Sequence, residues 1–164
     1  MMPGSEQGVI ETLQKLGTPF EIINIDPAFS DTEAFCERYG YPPEQTCNTI
    51  LVASKKEPKK YAACVALATT RLDVNRRVRN LLGVSKASFA SFDEMKQVTG
   101  MEMGGVTPLS LPPELPVYVD ERVMSCEWVV LGGGSREIKI KIGPEALRMI
   151  GAQVISDLAI SIET

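Results

Sequence analysis

The stretch T-G-M-E-M-G-G-V-T-P, residues 99–108, has the composition of a loop that could bind a ligand through its backbone. Gly104 and Gly105 are adjacent and stand just ahead of Thr107 and Pro108. Glycine permits φ > 0 and a close approach to the backbone, whereas proline fixes its own φ and favours extended geometry before it. The pattern predicts a stiff, exposed loop with free N–H groups, although an ordinary turn between two strands explains the same residues.

The chain contains no histidine, and this restricts the chemistry it can perform. Ser-His-Asp catalysis, H-E-x-x-H zinc sites and most transition-metal sites are excluded. The four cysteines lie at Cys36, Cys47, Cys64 and Cys126 without a C-x-x-C pair, and we interpret them as buried free thiols. We therefore expect no metal and no organic cofactor, and chemistry carried by backbone amides, hydroxyls, carboxamides, lysines, carboxylates or the substrate.

Basic residues are concentrated in one part of a chain whose net charge is −4. Residues 55–86 contain nine lysines and arginines, opposed only by Glu57 and Asp73. Seven of the nine form our predicted nucleic-acid contact: Lys55, Lys56, Lys59, Lys60, Arg76, Arg77 and Arg79. Such a stretch could bind phosphates, or it could be the solvated surface of one hairpin and one helix.

The elements that must position these residues follow from hydrophobic periodicity and from helix start and stop residues. Helices are predicted over residues 6–16 and 73–82, and capping boxes are predicted to open two more at Ser30 and Ser91. Strands are predicted over residues 48–53 and 61–68 around a charged hairpin. Another is predicted over residues 137–142, with its isoleucines inward and Lys139 and Lys141 outward. The prediction is an α+β fold, a mixed, largely antiparallel sheet curled into a barrel with surrounding helices.

Length and composition indicate one soluble domain spanning residues 1–164. The chain is 44% hydrophobic and 23% charged, and no apolar run approaches the roughly 18 residues of a membrane helix. The N-terminal residues lack the basic start and apolar run of a signal peptide. We expect a cytoplasmic protein without a membrane partner, and the oligomeric state is not predicted.

The order of the motifs resembles the YbaK/prolyl-tRNA synthetase editing-domain family, the free-standing aminoacyl-tRNA deacylases. The resemblance covers about residues 9–155. The pieces that carry it, in chain order, are N-T-I-L-V (48–52), L-D-V (72–74), L-L-G (81–83), T-G (99–100), G-G-V-T-P (104–108), V-Y-V-D (117–120), G-G-G (132–134) and P-E-A-L (144–147). Any single piece is weak, whereas the ordered set is fairly specific.

The resemblance implies a hydrolase that removes an amino acid wrongly esterified to the 3′ end of a tRNA. The implied catalytic residues are Asn48, Gly104, Gly105, Val106, Thr107 and Pro108, with the loop amides on the ester carbonyl or the terminal adenosine. The implied substrate-binding residues are Asp120, Gly132, Gly133, Gly134, Ser135 and Lys139. Asp120 has the alternative interpretation of a helix cap, and the three glycines have that of a hairpin turn.

Asn48 departs from the family pattern, because the family usually has a functionally important lysine at the start of this strand. Asparagine can orient a carbonyl or a ribose hydroxyl, but it carries no charge. Lys139 or Lys141 could supply the charge from a neighbouring strand. The leading hypothesis is a trans-acting aminoacyl-tRNA deacylase whose partners are mischarged tRNA and, as an open alternative, a synthetase. The second is a binding module for tRNA or aminoacyl-adenosine that has lost hydrolysis along with the lysine.

Overall fold

A computed structural model describes residues 5–162. Residues 1–4, on which the expected absence of a signal peptide partly depends, and residues 163–164 lie outside this range. The described range contains six α-helices: α1 (Glu6–Leu16), α2 (Thr32–Tyr39), α3 (Arg79–Leu82), α4 (Phe92–Thr99), α5 (Glu121–Met124) and α6 (Glu145–Met149). Short 3-10 turns cover Pro27–Phe29 and Pro43–Gln45, and a π-helical turn, Val74–Val78, leads directly into α3.

The described strands are β1 (Phe20–Asn24), β2 (Cys47–Ser54), β3 (Tyr61–Leu67), β4 (Thr70–Leu72), β5 (Ala87–Phe89), β6 (Val117–Asp120), β7 (Val129–Gly132), β8 (Ile138–Ile142), β9 (Gln153–Ile155) and β10 (Ala159–Ser161). They form sheets of order β5-β2-β3-β6-β9, β1-β8-β7 and β10-β4. Pairing is antiparallel except for β3 with β6 and β6 with β9. The predicted α+β class with a mixed, largely antiparallel arrangement is confirmed.

The predicted barrel is not confirmed. Within residues 5–162 the five-stranded and three-stranded sheets are joined by one parallel bridge between Thr46 and Val130, and no continuous ladder closes them. The bridging residue Thr46 immediately precedes β2, and Val130 lies within β7. The pocket described below opens beside the first residues of β2.

The helix boundaries follow the local sequence signals in most places. The Ser5 side chain accepts a hydrogen bond from the Gly8 backbone N–H at 3.0 Å, and α1 ends at Gly17 with φ 69°. The predicted capping box at Ser91 is present and opens α4. The capping box predicted from Ser30 is wrong: α2 begins at Thr32, after Asp31, and the buried Ser30 hydroxyl bonds no described residue.

The alternation of apolar and charged residues in strand β8 correctly predicts the position of its isoleucines but not that of Lys139. Its isoleucines lie inward as predicted, within a large core cluster that also contains α1 and β7 residues: Ile138, Ile140 and Ile142. The predicted solvent-facing position of Lys139 is wrong, since this side chain is only 5% exposed. Helix α2 contributes Phe35 here, and the Lys139 ammonium lies 5.2 Å from the centre of that ring. Both faces of β8 are therefore covered at residue 139.

Candidate active site

A cavity of about 300 Å³ lies where the start of β2, the segment before α2, the loop after α4 and strand β8 meet. Five segments, the fifth being the end of β7, line it: Ser30, Asp31, Thr32, Cys47, Asn48, Thr49, Ile50, Met103, Gly104, Val106, Gly132 and Lys139. Asn48, Gly104, Val106, Gly132 and Lys139 are among the residues predicted from sequence. The fold thus brings these five together in one pocket.

Asn48 is the second residue of β2 and reaches the pocket beside the start of α2. Its Oδ1 accepts a short hydrogen bond from the Thr32 hydroxyl. The amide nitrogen of Asn48 donates to no other residue in the range 5–162. Thr32 therefore fixes the carboxamide orientation and leaves its N–H groups available to a ligand.

Lys139 enters the same pocket from β8. Its ammonium donates to the Gly104 carbonyl at 3.4 Å, a long contact for a cation with three donors. No carboxylate of the described residues lies within ion-pair distance of it. Burial lowers the pKa of Lys139 to about 8; Cys36 and Asp31 oppose this shift, and Arg136 adds to it. The pocket therefore contains a poorly compensated ammonium.

The glycines of the loop and of the segment after β7 are required because the two backbones touch. A Cβ on Gly105 would lie 2.4 Å from the Ser135 carbonyl oxygen, and one on Gly132 would lie 2.2 Å from the Val106 carbonyl oxygen. The Gly134 N–H also donates to the Gly105 carbonyl at 2.7 Å. The backbone of the glycine triplet, residues 132–134, therefore packs against the loop and supports it.

Arg136 ties the loop to the turn before α2. Its guanidinium donates to the Met103 carbonyl and to the Pro27 carbonyl, both at 2.9 Å, and its backbone N–H donates to Glu102 at 3.1 Å. Gly104 takes φ 88°, which favours glycine. These contacts fix the loop at the pocket rim.

The loop offers fewer free donors than predicted. The Gly104 and Val106 N–H groups donate to no residue in the part of the chain described. The Gly105 N–H donates to the Glu102 carbonyl at 2.9 Å, and the buried Thr107 N–H contacts the Met101 sulfur at 3.3 Å. Pro108 lines a different cavity, beside α1. Of the predicted loop residues, Gly104 and Val106 are thus the two that line this pocket and have an N–H group without a described partner.

Two of the predicted substrate-binding residues are engaged elsewhere. Asp120 is fully buried at the end of β6, where Arg122 donates to its carboxylate at 3.1 Å. The Ser135 hydroxyl donates a short hydrogen bond to Glu6, which ties α1 to the segment after β7. Neither residue lines the pocket.

The basic residues lie away from the pocket. Lys55, Lys56, Lys59 and Lys60 form the exposed β2–β3 hairpin, at the opposite end of β2 from Asn48. Seven residues of extended strand span about 23 Å. Arg77 and Arg79 donate to the Ser156 and Ser85 carbonyls at 3.1 and 3.3 Å, and Arg76 is exposed. None of these seven residues lines the pocket.

Sequence reasoning missed the contribution of residues 30–32 and of Arg136. The first were interpreted as the start of a helix, and the S-x-x-E spacing gave no sign that Ser30 faces a pocket. Arg136 carried no signal, because its partners lie 33 and 109 positions away. Within the described range no three His, Cys, Asp or Glu side chains are grouped to hold a metal ion. The same residues contain no helix long and apolar enough to cross a membrane.

Comparison with known sequences places this geometry in a family. The sequence model of the aminoacyl-tRNA editing domain matches residues 26–150, which include every pocket-lining residue. The chain therefore belongs to the aminoacyl-tRNA editing domain family.

Individual relatives agree with this assignment. A prolyl-tRNA ligase of Streptococcus thermophilus is 32% identical over 106 residues, which are 64% of this chain and 16% of the ligase. EbsC of Enterococcus faecalis, named as a candidate Cys-tRNA(Pro)/Cys-tRNA(Cys) deacylase, is 22% identical over 115 residues, 70% of this chain and 68% of EbsC. The chain thus corresponds to a small part of the synthetase and to about two thirds of EbsC.

Solved structures share the fold. A crystal structure of a candidate trans-editing enzyme for prolyl-tRNA synthetase superposes with a TM-score of 0.79 at 21% identity, over 99% of both chains. The crystal structure of a hypothetical protein gives a TM-score of 0.82 at 24% identity, over 93% of this chain and 99% of its own. At these identities the likeness establishes the fold.

Proposed function

We propose that this chain is a trans-acting aminoacyl-tRNA deacylase that hydrolyses the ester of a mischarged tRNA. The observation that carries the proposal is the convergence of Asn48, Lys139, Gly104 and Val106 on one pocket, where the N–H groups of the last two donate to no described residue. The family assignment, the candidate deacylase EbsC and the match to part of a prolyl-tRNA ligase support the same reaction class.

Ester hydrolysis passes through a tetrahedral intermediate whose oxygen carries negative charge. Preorganised donors aimed at that oxygen lower the barrier, by about 3 kcal/mol for each donor in well-studied hydrolases. In this proposal the Gly104 and Val106 N–H groups bind the carbonyl oxygen, and Arg136 holds the loop that presents them. The charge of Lys139, whose side chain is only 5% exposed, stabilises the developing oxyanion.

This arrangement accounts for hydrolysis without the lysine that the family usually has at the position of Asn48. Asn48 orients the ester or the ribose hydroxyl through its amide N–H groups, while Lys139 supplies the cation from β8. The chain has no histidine to act as a base. The nucleophile is therefore a bound water, the ribose 2′-hydroxyl or a group of the aminoacyl moiety.

The tRNA itself is the proposed partner of the basic hairpin. Phosphates of the acceptor stem would lie against Lys55 and Lys56, which are exposed, while the 3′ end reaches the pocket. A separation of about 23 Å along β2 suits a ligand that extends over several nucleotides. A synthetase remains a further proposed partner, on the ground of the prolyl-tRNA ligase relative alone.

A second candidate function is a binding module without hydrolysis. The replacement of the family lysine by Asn48 favours it, because the pocket could bind an aminoacyl-adenosine end and lack the power to cleave it. An Asn48→Lys variant separates the two: gain of hydrolysis from an inactive wild type would support the module.

The testing experiment is single-turnover deacylation of one tRNA carrying alanine, serine, cysteine, threonine or proline in turn. We expect at least one ester to be lost more than tenfold faster than without protein. Rates equal to the protein-free rate for all five, with tRNA binding intact, would support the binding module. The same result without binding would contradict both functions.

A further inference from the structure

Two buried hydroxyls of pocket-lining residues have no hydrogen-bond partner among residues 5–162. Ser30 is 1% exposed, and its Oγ bonds no described residue. The Thr49 Oγ1 is likewise buried and unpartnered. Both residues line the same cavity as Asn48 and Lys139.

Buried hydroxyls elsewhere in the described chain are satisfied. Thr46 donates to the Pro42 carbonyl at 2.9 Å, Ser54 to the Lys56 carbonyl at 3.2 Å and Thr99 to the Met95 carbonyl at 2.6 Å. The Thr107 hydroxyl accepts from the Leu109 N–H at 3.3 Å. A buried polar group without a partner is costly, so the two exceptions indicate that a ligand supplies the missing bonds.

Ser30 borders the loop that would bind the ester. A Cβ placed on Gly104 would lie 2.6 Å from the Ser30 Oγ, so this hydroxyl packs directly against the loop. An acyl carbonyl bound at the Gly104 and Val106 N–H groups would have its own side chain a few ångströms from Ser30. The cavity, about 300 Å³, lies at the small end of ligand pockets and restricts that side chain to a small one.

We infer that the pocket selects an aminoacyl group whose small side chain carries a hydroxyl, as in serine or threonine, and that Ser30 and Thr49 are its specificity-determining residues. The inference rests on the proposed function and names its substrate class. A hydroxyl donates and accepts, so it can satisfy both protein hydroxyls, whereas a methyl group satisfies neither. Sites that hydrogen-bond a substrate hydroxyl reject the analogue that lacks it far more strongly than sites that measure size alone.

The test uses two ligands that cannot be hydrolysed, 3′-amino-3′-deoxyadenosine acylated through an amide with serine or with alanine. Their dissociation constants are measured with the wild type, Ser30→Ala and Thr49→Val. Thr49→Ser keeps the hydroxyl, and Ser156→Ala removes an exposed one, so these two are the matched controls. Single-turnover hydrolysis of the seryl, threonyl, alanyl and cysteinyl esters on one tRNA is measured in parallel.

We expect the wild type to bind the seryl ligand at least tenfold more tightly than the alanyl ligand. Ser30→Ala and Thr49→Val reduce this ratio to about threefold or less, and the controls retain it. Equal binding of the two ligands by the wild type overturns the inference. An equal loss of affinity for both ligands in Ser30→Ala and Thr49→Val also overturns it, because the two hydroxyls would then bind the adenosine. Seryl preference without hydrolysis of any ester would overturn the proposed function and leave the selection of a hydroxyl standing.

Discussion

At the residue scale, two side chains from different sheets meet at the pocket and are assigned the proposed chemistry. Asn48 is held by the Thr32 hydroxyl, and Lys139 is buried with one long hydrogen bond and an aromatic ring beside its ammonium. In the family resemblance a single lysine stands where Asn48 does. We propose that in this chain the neutral amide of Asn48 provides orientation and the cation of Lys139 provides charge.

Replacing Asn48 with aspartate tests the orienting role. The carboxylate can still accept from Thr32, but it loses the amide donors and places negative charge where the oxyanion forms. We expect single-turnover deacylation to fall about 100-fold, which corresponds to the loss of one transition-state donor, with the circular dichroism spectrum unchanged. Asn24→Asp, an exposed change on β1, is the control. Equal rates for Asn48→Asp and the wild type would remove Asn48 from the site.

At the element scale, the loop after α4 is held by contacts between backbones. Gly105 meets the Ser135 backbone so closely that a methyl group has no room, whereas a Cβ on Gly143 meets nothing within 4 Å. The loop position is therefore determined by the segment after β7 as much as by its own glycines.

Gly105→Ala should destabilise the protein by about 1–3 kcal/mol, because the added methyl group forces the two backbones apart, and should reduce deacylation through the displaced Val106 N–H. Gly143→Ala has space and no positive φ, so it should change the free energy of unfolding by less than about 0.5 kcal/mol. Urea unfolding of both variants provides the comparison. Equal stability of the two would contradict the close backbone contact.

The sequence predicted the positions of the helices and strands well. It predicted poorly which distant residues cover or engage their side chains. The boundaries of α1, β2, β3 and α4 follow from periodicity and capping. Alternation in β8 distinguishes its two faces but cannot reveal that α2 covers Lys139, because Phe35 lies 104 positions earlier. Ser135 and Asp120 were assigned to the site by resemblance, while Glu6 and Arg122 engage them. Of the five residues that do meet at the pocket, Asn48, Gly104, Val106 and Gly132 lie in the ordered motifs, whereas Lys139 was predicted as a replacement for the charge missing at Asn48.

At the scale of the whole molecule, burial of Lys139 links stability to pH. Its pKa is about 8 in the folded protein and 10.5 ordinarily, so below pH 8 both states bind the proton and the burial cost is fully present. Between pH 8 and 10.5 the unfolded chain binds more protons, so stability should rise with pH, by on the order of 3 kcal/mol. Urea unfolding at pH 7.5 and 10, wild type against Lys139→Met, measures this. Identical pH dependence of the two proteins would contradict a buried ammonium.

The basic hairpin gives the molecule its proposed tRNA-binding surface. Replacing Lys55 and Lys56 by glutamine should weaken tRNA binding and reduce the slope of log K against log salt by about 1–2, since each phosphate contact releases counterions. Lys15 and Lys96, exposed on α1 and α4, provide a control pair of equal charge change. Filter binding at several salt concentrations makes the measurement. Equal slopes for the two double variants would exclude the hairpin from the interface.

The most direct test compares two lysines of one strand. Lys139 lies in the pocket, whereas Lys141 pairs with Glu21 at 3.5 Å and lies 4.4 Å from the centre of the Trp128 ring. Single-turnover deacylation of the preferred ester is measured for the wild type, Lys139→Gln and Lys141→Gln. We expect the first variant to be about 100-fold slower, in the range found for loss of one oxyanion-stabilising donor, and the second to remain within about twofold of the wild type. Equal rates for the two variants would contradict the assignment of this pocket as the catalytic site.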